Sequence, residues 1–289
     1  MDLLASILIQ ILNGVQYGLL LFLVASGLTL VFGIMGVINL AHGSFYMVGA
    51  YLAYWLTREF GNLALAIVVG IPIAVLVGLA LERILIRHFY HRDHLYQVLL
   101  TYGLILIFEQ IRSLLWGDDV QGVKIPALLN HSIPLTDTLS YPVYRLMISA
   151  ACILIAIGMH LLIQRTRLGM MIRAGAHNRE MAEAMGVNIR MLFALVFALG
   201  VALAAFAGML AAPVSSVYPN MGSQVLIICF VVVVIGGIGS VKGALVAALL
   251  IGLTDTFGQV YLPQVAGMMV YLLMAAVLIY RPEGLFKKT

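Results

Sequence analysis

The chain has 289 residues, of which 63% are hydrophobic and only 10% charged, and its mean hydropathy is +1.08. That composition excludes an ordinary soluble domain and describes a polytopic membrane protein. The formal charge of +4 is distributed in a way that orients a chain in a bilayer, not as a nucleic-acid surface.

A membrane span needs about 20 mostly apolar residues to cross roughly 30 Å of hydrocarbon, and such runs recur along the whole chain, which reads as a single transmembrane domain over 1–289. No Lys or Arg precedes Arg58, so the N-terminus lacks the basic region of a cleavable signal and is taken as part of the first helix. The pattern predicts spans near 8–32, 42–56, 63–82, 96–116, 142–163, 190–211, 223–238, 243–261 and 265–280. The fold class is therefore all-α, with eight to ten transmembrane helices.

The first apolar stretch, 3–38, is longer than the hydrocarbon core unless it tilts, breaks or starts as an interfacial segment. Its Asn13 and Gln16 favour a break or an aqueous outer end. Next comes GVINLAHGSFYMVGAY, 36–51, in which Gly36, Asn39, His42 and Gly43 interrupt two hydrophobic runs. A second interruption, GGIGSVKG at 236–243, carries Gly236, Gly237, Gly239 and Lys242 between apolar stretches at 225–235 and 244–253 that read as short. Glycine-interrupted segments in both halves of a membrane chain point to broken helices along a translocation path and to a weak parallel repeat. An ordinary turn at the cytoplasmic interface fits the first interruption equally well, and a direct substrate or proton role for His42 is the sharper alternative.

Glu109 and Arg112, at i and i+3 in the fourth span, are expected to pair. His88, His91 and His94 have a spacing that drifts around a helix and does not converge, so an interfacial basic loop is favoured over a metal site. Cys152 and Cys229 fall inside apolar runs as packing residues. Asp255, in the eighth span, serves either a helix-packing hydrogen bond or a polar patch on the path. The pairs Gly14/Gly18 and Ala204/Gly208 mark tight helix contacts.

The longest polar connection, 164–190, is patterned. Asn178 is a good N-cap, the run 179–185 favours helix, and Gly186 is a natural stop. On this short helix Met181, Ala182 and Met185 form an apolar face, while Arg179, Glu180 and Glu183 give polar edges and Ala184 completes the turn. So short a helix needs a partner surface, in its own protein or another; a solvated loop helix is the alternative. Alternation of the spans places this connection, with Arg83, Arg87, Arg92, Arg165, Arg167, Arg173, Arg179, Arg190, Lys242, Arg281, Lys287 and Lys288, on one side. Twelve of the 16 basic residues lie there, so that side is expected to be cytoplasmic, with the N-terminus periplasmic and the C-terminus cytoplasmic. GGIGSVKG lacks the GxxxxGK[ST] order of a phosphate loop, so the chain is not read as an ATPase, and no Ser/His/Asp, Cys/His or paired-carboxylate arrangement suggests an enzyme active site.

Four segments carry a resemblance: GLTLVFGIMGVINLAHGSFYMVGAYLA (27–53), RAGAHNREMAEAMGVN (173–188), GGIGSVKGALVAALLIGL (236–253) and RPEGLF (281–286). They resemble the permease subunits of branched-chain amino acid ABC importers, the H-type of the two permeases in particular. The resemblance implies a transport subunit and not an enzyme: a bacterial inner-membrane subunit paired with a second, M-type permease or with its own copy, two cytoplasmic ATPase subunits, and a periplasmic amino-acid-binding protein docking on outer loops that include 117–141. ATP and Mg would then be held by the ATPase subunits, with no cofactor on this chain and no nucleic acid among its partners. The cytoplasmic coupling helix of the family maps onto 178–186, where AEAMG matches the importer pattern only loosely. A urea or short-amide permease of the same family, and a proton-coupled secondary transporter using His42 and Asp255, are the competing functions.

Overall fold

A computed structural model describes residues 2–90, 92–136 and 139–286. Among them are eleven α-helices: α1 (Asp2–Leu30), α2 (His42–Phe60), α3 (Leu63–Ile84), α4 (His94–Trp116), α5 (Val143–Arg165), α6 (Arg167–His177), α7 (Arg179–Ala184), α8 (Ile189–Ser215), α9 (Met221–Gly236), α10 (Val241–Tyr261) and α11 (Ala266–Tyr280). All but α6 and α7 correspond one to one with the nine predicted spans. No break falls at Asn13 or Gln16: α1 runs for 29 residues, about 44 Å at 1.5 Å per residue, and passes directly into a π-helical turn, Val31–Met35. The predicted span 243–261 is met by α10, which continues past the short apolar stretch 244–253 through the polar residues around Asp255 to Tyr261 and reaches 21 residues. Only α9, at 16 residues, is short on that side of the turn.

The bundle is organised around α1. Of its apolar window 89% is buried, against 28%, 28% and 17% for α3, α4 and α5, as befits a helix that is apolar on every face. The outer helices invert the soluble pattern, leaving Val68, Leu76, Leu99, Leu114 and Leu154 exposed. A continuous apolar exterior on helices of this length is stable only against lipid. The chain is a multi-pass membrane protein.

Packing is closest along two seams, α1 on α10 and α2 on α8, with α9 touching both α1 and α2. Small residues make the first seam. A Cβ on Gly18 would lie 2.7 Å from the Ala248 carbonyl oxygen and 2.9 Å from Leu249 Cα, so only the bare glycine backbone allows α10 this near.

Alternation of the spans gathers both glycine-rich links, the α5–α8 connection and the C-terminal tail at one end, here the basic end, which holds the described members of the arginine and lysine set predicted to lie together. Lys287 and Lys288 lie outside the described residues. The opposite end carries an antiparallel hairpin, β1 (Ser132–Thr136) with β2 (Leu139–Pro142), within the 117–141 connection that sequence reasoning treated only as a loop. There too Arg112 is 6% exposed and bonds Glu109 at 3.3 Å and Asp118 at 2.7 Å, joining the expected i,i+3 pair to the loop that follows α4. The Arg112 guanidinium beside Asp118 holds that carboxyl below its ordinary range. Of the histidine triplet, His88 closes a 3-10 turn and His94 starts α4, while His91 lies outside the described residues.

Candidate functional site: the two links and helix α7

At the basic end the first link is exposed at Gly36 but buried at Asn39, Ala41 and His42. The π turn ends where Gly36 takes φ +65°, a left-handed conformation that favours glycine. Asn39 is fully buried. Its Oδ1 accepts from the Ala41 N–H at 3.1 Å and its carbonyl from the His42 N–H at 3.3 Å. His42, 1% exposed, reaches back from the start of α2 to the Val24 carbonyl of α1, with Nε2 to O at 3.0 Å. The link is thus a buried clamp between α1 and α2. Gly43 begins α2 against Gly222 and Leu226 of α9.

The second link turns through Gly237 and Gly239, both at positive φ. Ser240 caps α10 by accepting from the Gly243 N–H at 3.0 Å, and Gly236 packs backbone to backbone on Gly243. The tail supplies what the end of α9 lacks: the N–H groups of Leu285 and Phe286 donate to the carbonyls of Ile235 and Gly236 at 2.8 and 3.3 Å. RPEGLF is therefore a C-cap delivered from the far end of the sequence. The π turn that leads into the first interruption meets the second, since a Cβ on Gly33 would lie 2.8 Å from Gly239 Cα.

Helix α7 lies beside them. The Asn178 Oδ1 accepts from the Met181 N–H at 2.9 Å, and at the other end the chain turns at Gly186, φ +87°, with the Val187 N–H donating to the Ala182 carbonyl at 3.0 Å. That is the cap-and-stop arrangement the residues call for. Ala182 is buried at 5%, whereas Met181 and Met185 are exposed at 62% and 79%. The apolar face is thus split: Ala182 faces the protein's own body, and the two methionines face away. Glu180, Glu183 and Ala184 are exposed.

Arg179 departs from the expected polar edge. It turns inward, stacking its guanidinium 4.6 Å from the centre of the Phe193 ring in α8 and donating from Nη2 to the Met35 carbonyl at 3.2 Å. A carbonyl at the end of a helix lacks an intrahelical donor and attracts a cation, which gives the inward turn its physical reason. Phe193 meets Tyr90 edge to face at 5.2 Å, and the Tyr90 hydroxyl donates to Glu82 of α3; burial and the adjoining carboxylate push the Tyr90 phenol up, keeping it a donor. One row of side chains thus joins α7 to α8, to the α3–α4 connection and to the π turn of α1.

Two cavities flank α1. The one toward the hairpin end, about 440 Å³, is lined by Asn13, Gln16, Arg145, Asp255 and Gln259 above Leu20, Leu21 and Val24. The one at the basic end, about 390 Å³, is lined by Thr29, Gly33, His160, His177, Gly239 and Lys242. At about 100° per residue the two sets of α1 residues project from opposite faces, so α1 is the wall between the cavities. His42 lines neither of them, and Asp255 lines only the first, so the two residues of the proton-relay alternative are not brought together. Asp255 accepts from Gln259 Nε2 at 2.7 Å. Arg145, Phe193 and Tyr90 escaped sequence reasoning; an arginine three residues into a span was a usable signal for the first, whereas the other two are ordinary aromatic residues in the sequence.

The model of the "Branched-chain amino acid transport system / permease component" family matches residues 10–279. The chain belongs to this family. This permease is similar to the high-affinity branched-chain amino acid transport system permease protein BraD of Pseudomonas aeruginosa, at 30% identity over 96% of this chain and 94% of that protein. It is equally similar to LivH of Escherichia coli K12, with 30% identity and the same coverage, and to a probable LivH of Methanocaldococcus jannaschii, at 29% identity over 96% and 91% of the two chains. A family of transport-system permeases places the chain among transport subunits and not enzymes.

Proposed function

We propose that this permease is the membrane subunit of an ATP-driven importer of branched-chain or other hydrophobic amino acids delivered by a periplasmic binding protein. Its basic end faces the cytoplasm, in accord with the positive-inside rule, so the N-terminus is periplasmic and the C-terminus cytoplasmic. Two ATPase subunits dock at that end and hold the ATP and Mg, a second permease or a second copy completes the pair in the bilayer, and the hairpin end receives the binding protein.

The observation that carries this reading is the posture of α7. A six-residue helix is not stable alone, yet it is capped at both ends, held to the body by Ala182 and Arg179, and turned so that Met181 and Met185 project from it. Methionine pairs at i and i+4 are adaptable anchors for a groove on another protein. When the ATPase subunits close, displacement of α7 pulls Arg179, and with it the π turn of α1 and the second glycine link that touches it. The names of the relatives supply the substrate class.

Uptake of radiolabelled leucine, phenylalanine and urea into proteoliposomes tests the whole reading. Leucine uptake only with ATPases, partner permease, binding protein and ATP together is the expected result. Uptake by this chain alone under a proton gradient overturns it, and preference for urea overturns the substrate class.

A further inference from the structure

The cavity toward the hairpin end has a composition that the import reading leaves unused. Its lining contains two charged residues of opposite sign, Arg145 of α5 and Asp255 of α10. Among the described residues neither takes part in an ion pair. Each is instead held in place by a neutral amide: Arg145 Nη1 donates to Asn13 Oδ1 at 2.7 Å, an oxygen that also accepts from the Tyr141 hydroxyl at 3.2 Å, and Gln259 Nε2 donates to Asp255 Oδ2 at 2.7 Å. Both charges are partly accessible, and both keep hydrogen-bonding capacity beyond these contacts. Charges within a membrane domain are costly unless they meet water or a partner, so two oriented, unpaired and opposite charges lining one cavity form a complementary pair of poles. The floor is apolar, made by Leu20, Leu21 and Val24 of α1 with Val225 of α9.

We infer that this cavity is a transient binding site for a zwitterionic amino acid with an aliphatic side chain, carboxylate toward Arg145, ammonium toward Asp255, and side chain on the Leu20–Leu21–Val24 floor. The inference rests on the permease reading and deepens it. Guanidinium suits a carboxylate through paired N–H donors, and the aspartate oxygens accept from an ammonium. A ligand lacking either charge leaves one pole desolvated without a partner, so the site discriminates by what it would leave unpaired. A cavity of about 440 Å³ falls within the range of small-molecule sites.

The test uses the complete complex in proteoliposomes, with Ser215→Cys, a residue of the same cavity wall, as a reporter labelled by an uncharged thiol reagent; the native Cys152 and Cys229 are wholly buried. The ligands are leucine, leucinamide, which lacks the carboxylate, and 4-methylpentanoate, which lacks the ammonium. Leucine is expected to slow labelling, and each analogue to protect roughly tenfold less well. Arg145→Gln should weaken protection by leucine while leaving that by leucinamide unchanged, and Asp255→Asn should weaken leucine while leaving 4-methylpentanoate unchanged. Equal protection by all three ligands, or an equal loss for all three in both variants, overturns the assignment, because a purely structural role would not track the ligand's charges. Leucine uptake is followed in the same vesicles. ATP-driven uptake without protection refutes the site alone, whereas absence of ATP-driven uptake by the unsubstituted complex refutes the importer reading.

Discussion

Replacing Arg179 with alanine separates docking from coupling. The guanidinium lies 4.6 Å from the centre of the Phe193 ring and 3.2 Å from the Met35 carbonyl oxygen. A cation–π contact at a partly exposed site contributes about 0.5–1 kcal/mol, and a charge-assisted hydrogen bond of this length falls at the low end of about 1.5–3 kcal/mol. With Arg179 only partly buried, solvent screening brings the pair to about 1–2 kcal/mol, a factor of roughly 5 to 30 in the population of α7 joined to α1. Met181, Met185, Glu180 and Glu183 project elsewhere, so Arg179→Ala should co-purify with the ATPase subunits at the unsubstituted level while leucine imported per ATP hydrolysed falls several-fold. Arg179→Lys should be intermediate, keeping the charge over the ring but losing the planar stacking surface. Coupled uptake and ATPase assays on one preparation measure both quantities. An unchanged ratio of transport to hydrolysis in Arg179→Ala, or a loss of ATPase association matching that of the methionine variants, would refute the linkage.

Met181→Glu with Met185→Glu should abolish ATPase co-purification while leaving the permease monodisperse in detergent, because both side chains are exposed and their replacement disturbs no packing. Gly18→Ala should destabilise the protein by about 1–3 kcal/mol, the usual cost of overpacking a seam that cannot open, seen as a lower thermal midpoint in detergent. The Asp118 carboxyl, held below its ordinary range by Arg112, stabilises the α4 loop fully above the unfolded pKa of about 4, and this contribution is lost as pH falls through the lower, folded value. Asp118→Asn should therefore flatten the acid side of the stability profile, measured by thermal melts across pH. Asn178→Ala should fray α7, at a cost of about 1 kcal/mol for a lost N-cap, and speed amide exchange at Met181.

The nine helices that follow the predicted apolar runs, six of them long and apolar enough to cross a membrane, the tight glycine seams and the cap-and-stop pattern of α7 were legible in the chain, because hydrophobic run length, small-residue spacing and capping chemistry are local properties. The clustering of arginine and lysine on alternating connections was enough to sort the ends of the helices. The reach of α10 through its polar stretch was legible as well, since the predicted span 243–261 already ran past Asp255; what was not legible is that α1, α5 and α9 would build a cavity around that residue. Arg179 read as a solvent edge because nothing nearby in sequence announces that the Met35 carbonyl and the Phe193 ring would arrive beside it. The same holds for Arg145 and Asp255, separated by more than 100 positions and brought to one cavity only by the bundle. What the sequence determined by itself was which segments form apolar helices and how their ends are capped; which charges share one cavity beside α1 was decided by packing, since burial and long-range contact are properties of the assembled helices and not of any one of them.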